Sequence, residues 1–207
     1  MCSSDLIPLP QTGIEATTEK KKVFLTEEDF FVSLKSMLDY FHKHNMKFSR
    51  NGGGKTLKGS KGFNCATYVS WTLQEMGLIP KGKTMWFSKK PHGAAYDYIK
   101  DHPEKFKILH PDQPVKKCPD LKPGDICGFT INGYAPHTTV YAGTDDKGHP
   151  LWYSGGGDYR KMRENGFQAT RFKYYEQNND IIYTIVRIRY DKVEKKGTNS
   201  NGIVKVQ

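Results

Sequence analysis

The sequence predicts an α+β fold in a single domain. Apolar residues recur at steps of three and four before residue 80, which is typical of helices that bury one face. After Gly124 the pattern changes to a period of two, and short runs rich in β-branched and aromatic residues follow, as expected for strands. The links between these runs are too short for parallel crossovers, so we expect helices packed on an antiparallel sheet of about five strands.

The composition divides the chain into three parts. Of its 207 residues 36% are hydrophobic, which is sufficient for one buried core. Residues 1–22 lack sustained periodicity and are expected to be a disordered leader. Residues 192–207 are expected to be a polar, basic tail, so that the domain spans residues 23–191.

The first helix is predicted over residues 26–44. Thr26 and Asp29 have the spacing of a capping box, and apolar residues follow at helical spacing. These residues are Phe30, Phe31, Leu34, Leu38 and Phe41. A shorter helix is predicted over residues 93–102, ended by Pro103.

A helix with a cysteine in its first turn is predicted between these two. Asn64 is a favourable N-cap and Gly77 a favourable C-terminal residue. The apolar stripe between them consists of Tyr68, Val69, Leu73 and Met76. In the first turn, unpaired N–H groups and the helix dipole favour a thiolate, so Cys65 is a candidate nucleophile with a lowered pKa, and the same N–H groups could hold an oxyanion. A buried, unreactive cysteine is the alternative interpretation.

The predicted strands place a histidine where it could assist this thiol. They cover residues 126–131, 137–143, 151–154, 167–174 and 180–190. His137 opens the second of these strands, where its side chain can face a helix packed on the sheet, so it is a candidate general base. A partly exposed histidine without a catalytic role is the alternative.

The composition also excludes several classes of function. The net charge of +10 favours polyanionic surroundings, but no RNA-binding or zinc-finger pattern is present, and nucleic acid is not an expected partner. Residues 51–56 are rich in glycine but lack the first glycine of a phosphate loop, so ATP binding is not expected. No apolar run is long enough to span a membrane. We expect a monomer without a cofactor.

The four cysteines do not form a disulfide scaffold in a chain of this length. Whether Cys118 and Cys127 pair stays open. These two cysteines with His137 and His149 lack the short paired spacing of structural zinc sites, so no metal is expected.

Three segments together resemble the NlpC-type cell-wall cysteine peptidases and the related CHAP amidases and peptidases. They are residues 64–73 around Asn64-Cys65, residues 121–126 with Pro123-Gly124-Asp125, and residues 137–143, which begin with His137. The resemblance covers about residues 24–190 and implies a papain-like fold. It implies hydrolysis of amide bonds in peptidoglycan peptides, with Cys65 as nucleophile and His137 as general base. Many members have Asp where this chain has Asn64.

The third catalytic residue is less clear from the resemblance. Family members use His, Asn, Gln or Asp to orient the histidine, and the matching position in this chain is Ser154. A serine orients an imidazole only weakly, so Asp158 and His149 are alternatives. The resemblance implies a bacterial or phage protein that acts outside the cell or in the wall. A transferase on the same fold and a non-catalytic wall-binding module are the rival functions.

Overall fold

The computed structural model describes residues 22–85, 92–109, 120–131, 135–157, 159–171 and 184–207. Over these residues the protein has the predicted α+β architecture. Its α-helices are α1 (Glu27–Lys43), α2 (Cys65–Met76), α3 (Ala94–Lys100) and α4 (Tyr159–Glu164). Apart from Lys22, the predicted leader lies outside the described residues. No helix in the described ranges has both the length and the apolar character needed to cross a membrane.

The main sheet has six strands in the order β3-β8-β4-β5-β6-β7. They are β3 (Phe106–Leu109), β4 (Ile126–Ile131), β5 (Ala135–Thr144), β6 (Pro150–Tyr153), β7 (Thr170–Arg171) and β8 (Thr184–Ile188). Every neighbouring pair in this sheet is antiparallel, as the short links predicted.

One strand of this sheet was not predicted. β3 pairs with β8, with Phe106 opposite Ile188, and forms one edge. The strands predicted over residues 167–174 and 180–190 contain β7 and β8, and the residues between β7 and β8 lie outside the described ranges.

α1 and α2 both begin and end as the sequence predicted. Thr26 caps α1 and forms the capping box with Asp29. Gly77 ends α2 in the left-handed conformation, with φ of 87°. The buried faces of both helices join one core with the sheet, where the ring centroids of Phe31 and Tyr153 are 5.5 Å apart.

Two short strand pairs lie outside the main sheet. β1 (Lys47–Phe48) and β2 (Gly62–Phe63) pair in parallel just before α2. β9 (Lys195–Thr198) and β10 (Val204–Val206) form an antiparallel hairpin near the C-terminus.

This hairpin corrects the expectation that residues 192–207 are set apart from the domain. Ile203, Val204 and Val206 are buried in the core. The backbone N–H of Val204 donates to the Ser33 hydroxyl on α1 at 3.1 Å. The apolar residues of this segment are few, but they are buried against α1 and α2, so the segment belongs to the folded unit.

Candidate active site

α2 begins at Cys65 because side chains of the same turn cap its first N–H groups. Asn64 Oδ1 accepts from the backbone N–H of Thr67 at 2.9 Å, and Thr67 Oγ1 accepts from the backbone N–H of Asn64 at 2.8 Å. Thr67 takes the place that Glu or Gln usually has in a capping box. The predicted N-cap is therefore confirmed, and Cys65 lies in the first turn of the helix.

The thiol of Cys65 lies beside the start of β5. Three backbone N–H groups stabilise its thiolate form: those of Cys65 and Ala66 at the helix start, and that of Thr138 in β5. Thr138 directly follows His137 in the chain. The fold therefore brings Cys65, at the start of α2, close to the beginning of β5, where His137 lies.

The Thr138 N–H can reach the sulfur because β6 has ended at this point. Within β5 the N–H of Tyr141 donates to the Asp125 carbonyl at 2.9 Å, on the side of β4. Alternate residues of a strand direct their N–H groups to opposite sides, so that of Thr138 points to the side of β6. β6 ends at Tyr153. The Thr138 N–H therefore donates to the Cys65 sulfur instead of to a carbonyl of a longer β6.

Burial raises the pKa of the Cys65 thiol above its ordinary value. The three N–H groups act in the opposite direction, but they do not outweigh the loss of hydration. The prediction of a lowered pKa is therefore wrong for the free protein. The helix-start effect was inferred for a well-hydrated thiol, whereas this one lies against β5 and Cys65 is only partly exposed.

His137 bonds Ser154 across the ends of β5 and β6. Its Nε2 lies 3.0 Å from the Ser154 hydroxyl oxygen. Burial lowers the pKa of His137 to about 4, because a charged imidazole loses its hydration there. His137 is consequently neutral near pH 7 and able to accept a proton.

The Ser154 hydroxyl can bond either neutral form of this imidazole. Ser154 is fully buried, and its oxygen accepts from the backbone N–H of Gly156 at 3.2 Å. The hydroxyl retains one hydrogen and further acceptor capacity, so it can donate to an unprotonated Nε2 or accept from a protonated one. A carboxylate would accept only and would hold the proton on Nε2. Ser154 therefore fixes the position of the ring of His137 without fixing its tautomer.

A glycine pair after Ser154 passes between α2 and the imidazole. A Cβ on Gly155 would lie 2.5 Å from the Cβ of Tyr68 on α2. A Cβ on Gly156 would lie 2.9 Å from Cε1 of His137. Real Cβ atoms do not approach so closely, so a side chain at either position would force its neighbour to move. Sequence reasoning did not assign these residues to the site, although the run of three glycines was a visible signal.

The alternatives to Ser154 fall elsewhere. His149 lies in the turn between β5 and β6, at the opposite end of both strands from His137, and its Nδ1 is 3.0 Å from Asp145. Asp158 lies outside the described residues.

The described residues add no candidate metal site and no candidate disulfide. In the ranges that the structure describes, no three His, Cys, Asp or Glu side chains are grouped so that they could hold a metal ion. Cys127 is buried in β4, and Cys118 lies outside the described residues.

Comparison of the chain with protein-family models, curated proteins and solved structures found no match.

Proposed function

We propose that the protein hydrolyses amide bonds in peptidoglycan peptides through a Cys65 nucleophile on a papain-like fold. The observation that carries this proposal is the meeting of the helix start with the start of β5. There the Cys65 sulfur takes the N–H of Thr138, and the neighbouring His137 is bonded to Ser154. A nucleophile, a base and an orienting group in one place are the parts that acyl transfer needs.

The first half of the reaction forms a thioester. Cys65 attacks the carbonyl carbon of the scissile amide while its proton passes to His137. We assign this transfer to Nδ1, since Nε2 is the nitrogen that bonds Ser154. Backbone N–H groups at the start of α2 can stabilise the oxyanion that forms on the substrate. The C–N bond then breaks, and His137 returns the proton to the leaving amine.

The second half releases the acid. His137 takes a proton from water as the water oxygen attacks the thioester carbonyl. The C–S bond breaks, the proton returns to the sulfur, and the products are a carboxylic acid and the free thiol. No other reactant is consumed.

The pKa directions at the site leave the thiol protonated until attack. With the pKa of His137 at about 4 and that of Cys65 raised, both groups are neutral near pH 7. In the proposed reaction the proton therefore moves from the sulfur to His137 as the C–S bond forms.

The proposed site of action is the bacterial cell wall outside the membrane, where the net charge of +10 favours binding to an anionic wall. The test is therefore digestion of purified bacterial cell walls. We expect turbidity to fall and new amine ends to appear with the native chain. Cys65→Ala should abolish both, because it removes the nucleophile. Cys127→Ala is the matched control and should digest walls like the native chain, since this buried cysteine lies in β4 with no role in the proposed reaction.

The rival functions give different results in the same assay. Wall binding without new amine ends would show a binding module. New peptide bonds formed to an added amine would show a transferase, in which an amine takes the place of water at the thioester. Equal loss of activity in both cysteine variants would contradict the role given to Cys65.

A further inference from the structure

The chain just before and within α2 carries an unbalanced positive charge. From Tyr40 to Gln74 the sequence contains no Asp or Glu but six Lys or Arg residues. All six are exposed, and we call the five that follow α1 the basic rim. The basic rim consists of Lys47, Arg50, Lys55, Lys58 and Lys61.

The acids that border this segment are already engaged by other lysines. Asp39 pairs with Lys43 at 2.5 Å. Glu75 lies 3.6 Å from both Lys81 and Lys205. Among the described residues, no member of the basic rim forms an ion pair. The positive charge of the rim is therefore not neutralised within the described part of the chain.

The basic rim follows α2 away from the nucleophile. At its near end, the Arg50 carbonyl accepts from Asn64 Nδ2 at 3.3 Å, next to Cys65. At its far end, the Lys55 carbonyl accepts from Gln74 Nε2 at 3.1 Å. Asn64 and Gln74 are ten positions apart, which corresponds to about 15 Å along a helix.

The loop that carries the rim is held in place. Ser60 Oγ donates to the Thr56 carbonyl at 2.8 Å and accepts from the Gly54 N–H at 3.3 Å. A Cβ on Gly53 would lie 2.5 Å from the side chain of Thr67, so this loop packs directly on the first turn of α2. Like charges on a fixed loop repel each other, and a bound anion offsets that repulsion.

The composition of the rim favours a ligand that carries carboxylates on a flexible chain. Four of its five members are lysines, whose ammonium groups are mobile point charges. Phe48 is the one aromatic residue between Lys47 and Lys61, whereas single-stranded nucleic acids are usually held by several aromatic residues on which successive bases stack. A length of about 15 Å matches about four or five residues of extended peptide.

We propose that the basic rim binds an extended acidic peptide, one end of which reaches the Cys65 thiol. The claim that this peptide is a substrate rests on the proposed function. The claim that it binds to the rim does not depend on catalysis. The rim adds binding energy along the peptide, so the protein favours peptides with several carboxylates on the side that lies over the rim.

The experiment uses the full chain with Cys65→Ala, so that binding is measured without turnover. The probe is a labelled peptide of alternating Glu and Ser, and fluorescence anisotropy reports its affinity. The rim variant combines Arg50→Gln, Lys55→Gln and Lys58→Gln. The matched control combines Lys107→Gln, Lys147→Gln and Lys196→Gln, which are exposed lysines elsewhere with the same change of net charge.

We expect the rim variant to bind the acidic peptide at least about tenfold more weakly, with little change in the control variant, because several exposed charge contacts are lost together. Added salt should weaken binding by the parent and reduce the difference between parent and rim variant. Far-UV circular dichroism melts identify any variant that has lost its fold.

Three results would overturn the proposal. These are equal weakening in both variants, no binding of the acidic peptide by the parent, and tighter binding of a single-stranded oligonucleotide than of the peptide. Failure of the native chain to digest walls, with rim-dependent peptide binding intact, would refute the proposed function and leave the rim as a binding site.

Discussion

The Ser154 hydroxyl bonds an imidazole that is already neutral, because burial holds the pKa of His137 at about 4. At the scale of single residues, the proposed site depends on how the imidazole ring of His137 is held. If His137 accepts a proton at Nδ1, the proton of its neutral ring is on Nε2. The Ser154 hydroxyl oxygen then accepts a hydrogen bond from the Nε2–H group. The backbone N–H of Gly156 helps to fix the oxygen in place. Ser154 is thus a positioning residue in the proposed reaction.

We expect Ser154→Ala to lower kcat by about tenfold to a hundredfold with little change in KM, since one hydrogen bond to the base is lost and the substrate contacts remain. Thr139→Val is the control. Among the residues that the structure describes, the buried hydroxyl of Thr139 in β5 has no hydrogen-bond partner, so its removal should leave kcat unchanged. Steady-state rates of amide hydrolysis decide the matter. Unchanged kcat in Ser154→Ala would exclude an orienting role.

The sequence indicated Asn64, Cys65 and His137 through short local patterns, and the family resemblance indicated Ser154. It could not predict the pKa of the thiol. That property depends on burial against β5 and on the N–H of Thr138, which is contributed from more than seventy positions away. Local patterns predict what a helix start favours, whereas desolvation is decided by what packs on it.

At the scale of elements, the segment after β6 sets the distance between α2 and the imidazole. Its backbone contacts Tyr68 on one side and His137 on the other, with no side chain between them. α1, α2, α3 and the central strands were predicted because helix caps, the stop at Pro103 and period-two patterns are local signals. β3 was missed because it has only four residues and pairs with β8 about eighty positions later.

Replacing Gly156 with Ala should displace the imidazole. The new Cβ would lie 2.9 Å from Cε1 of His137, so the ring or the loop must move. A shift of this kind is expected to reduce kcat by about a hundredfold. Gly157→Ala is the matched control, because no atom of the described residues lies within 4 Å of the added Cβ, and its activity should stay close to that of the native chain.

Activity assays with circular dichroism melts separate displacement of the ring from loss of the fold. Equal activity in Gly156→Ala and Gly157→Ala would mean that His137 does not act from the position seen here. Loss of the fold in Gly156→Ala would instead call for the same assay at lower temperature, where the folded variant should still show the reduced kcat.

At the scale of the whole molecule, one core joins both ends of the described chain. Leu25 donates its N–H to the Val193 carbonyl at 2.8 Å, and Lys195 pairs with Asp29 on α1 at 2.5 Å. The sequence set this C-terminal segment aside because its few apolar residues are separated by polar ones. Burial of Ile203 and its neighbours shows that long-range packing, which a single sequence does not display, makes this segment part of the folded unit.

His137 links the stability of this fold to pH. Its pKa is lowered from 6.5 to about 4 on folding, so between these values the unfolded chain binds the proton more strongly than the folded one. The stabilising contribution is fully present above pH 6.5 and is lost as the pH falls towards 4. The shift corresponds to a loss of up to about 3 kcal/mol of unfolding free energy.

We therefore expect urea unfolding between pH 7 and pH 4 to show a steeper loss of stability for the native chain than for His137→Gln, which cannot take up this proton. The other histidines and the carboxylates are common to both proteins, so the difference between the two curves isolates His137. A thiolate–imidazolium pair in the resting site would give the opposite sign, because a raised pKa of His137 would make the native chain gain stability relative to His137→Gln as the pH falls. Parallel curves would show that His137 has the same pKa in the folded and unfolded chains, and would contradict the burial on which the neutral pair of Cys65 and His137 depends.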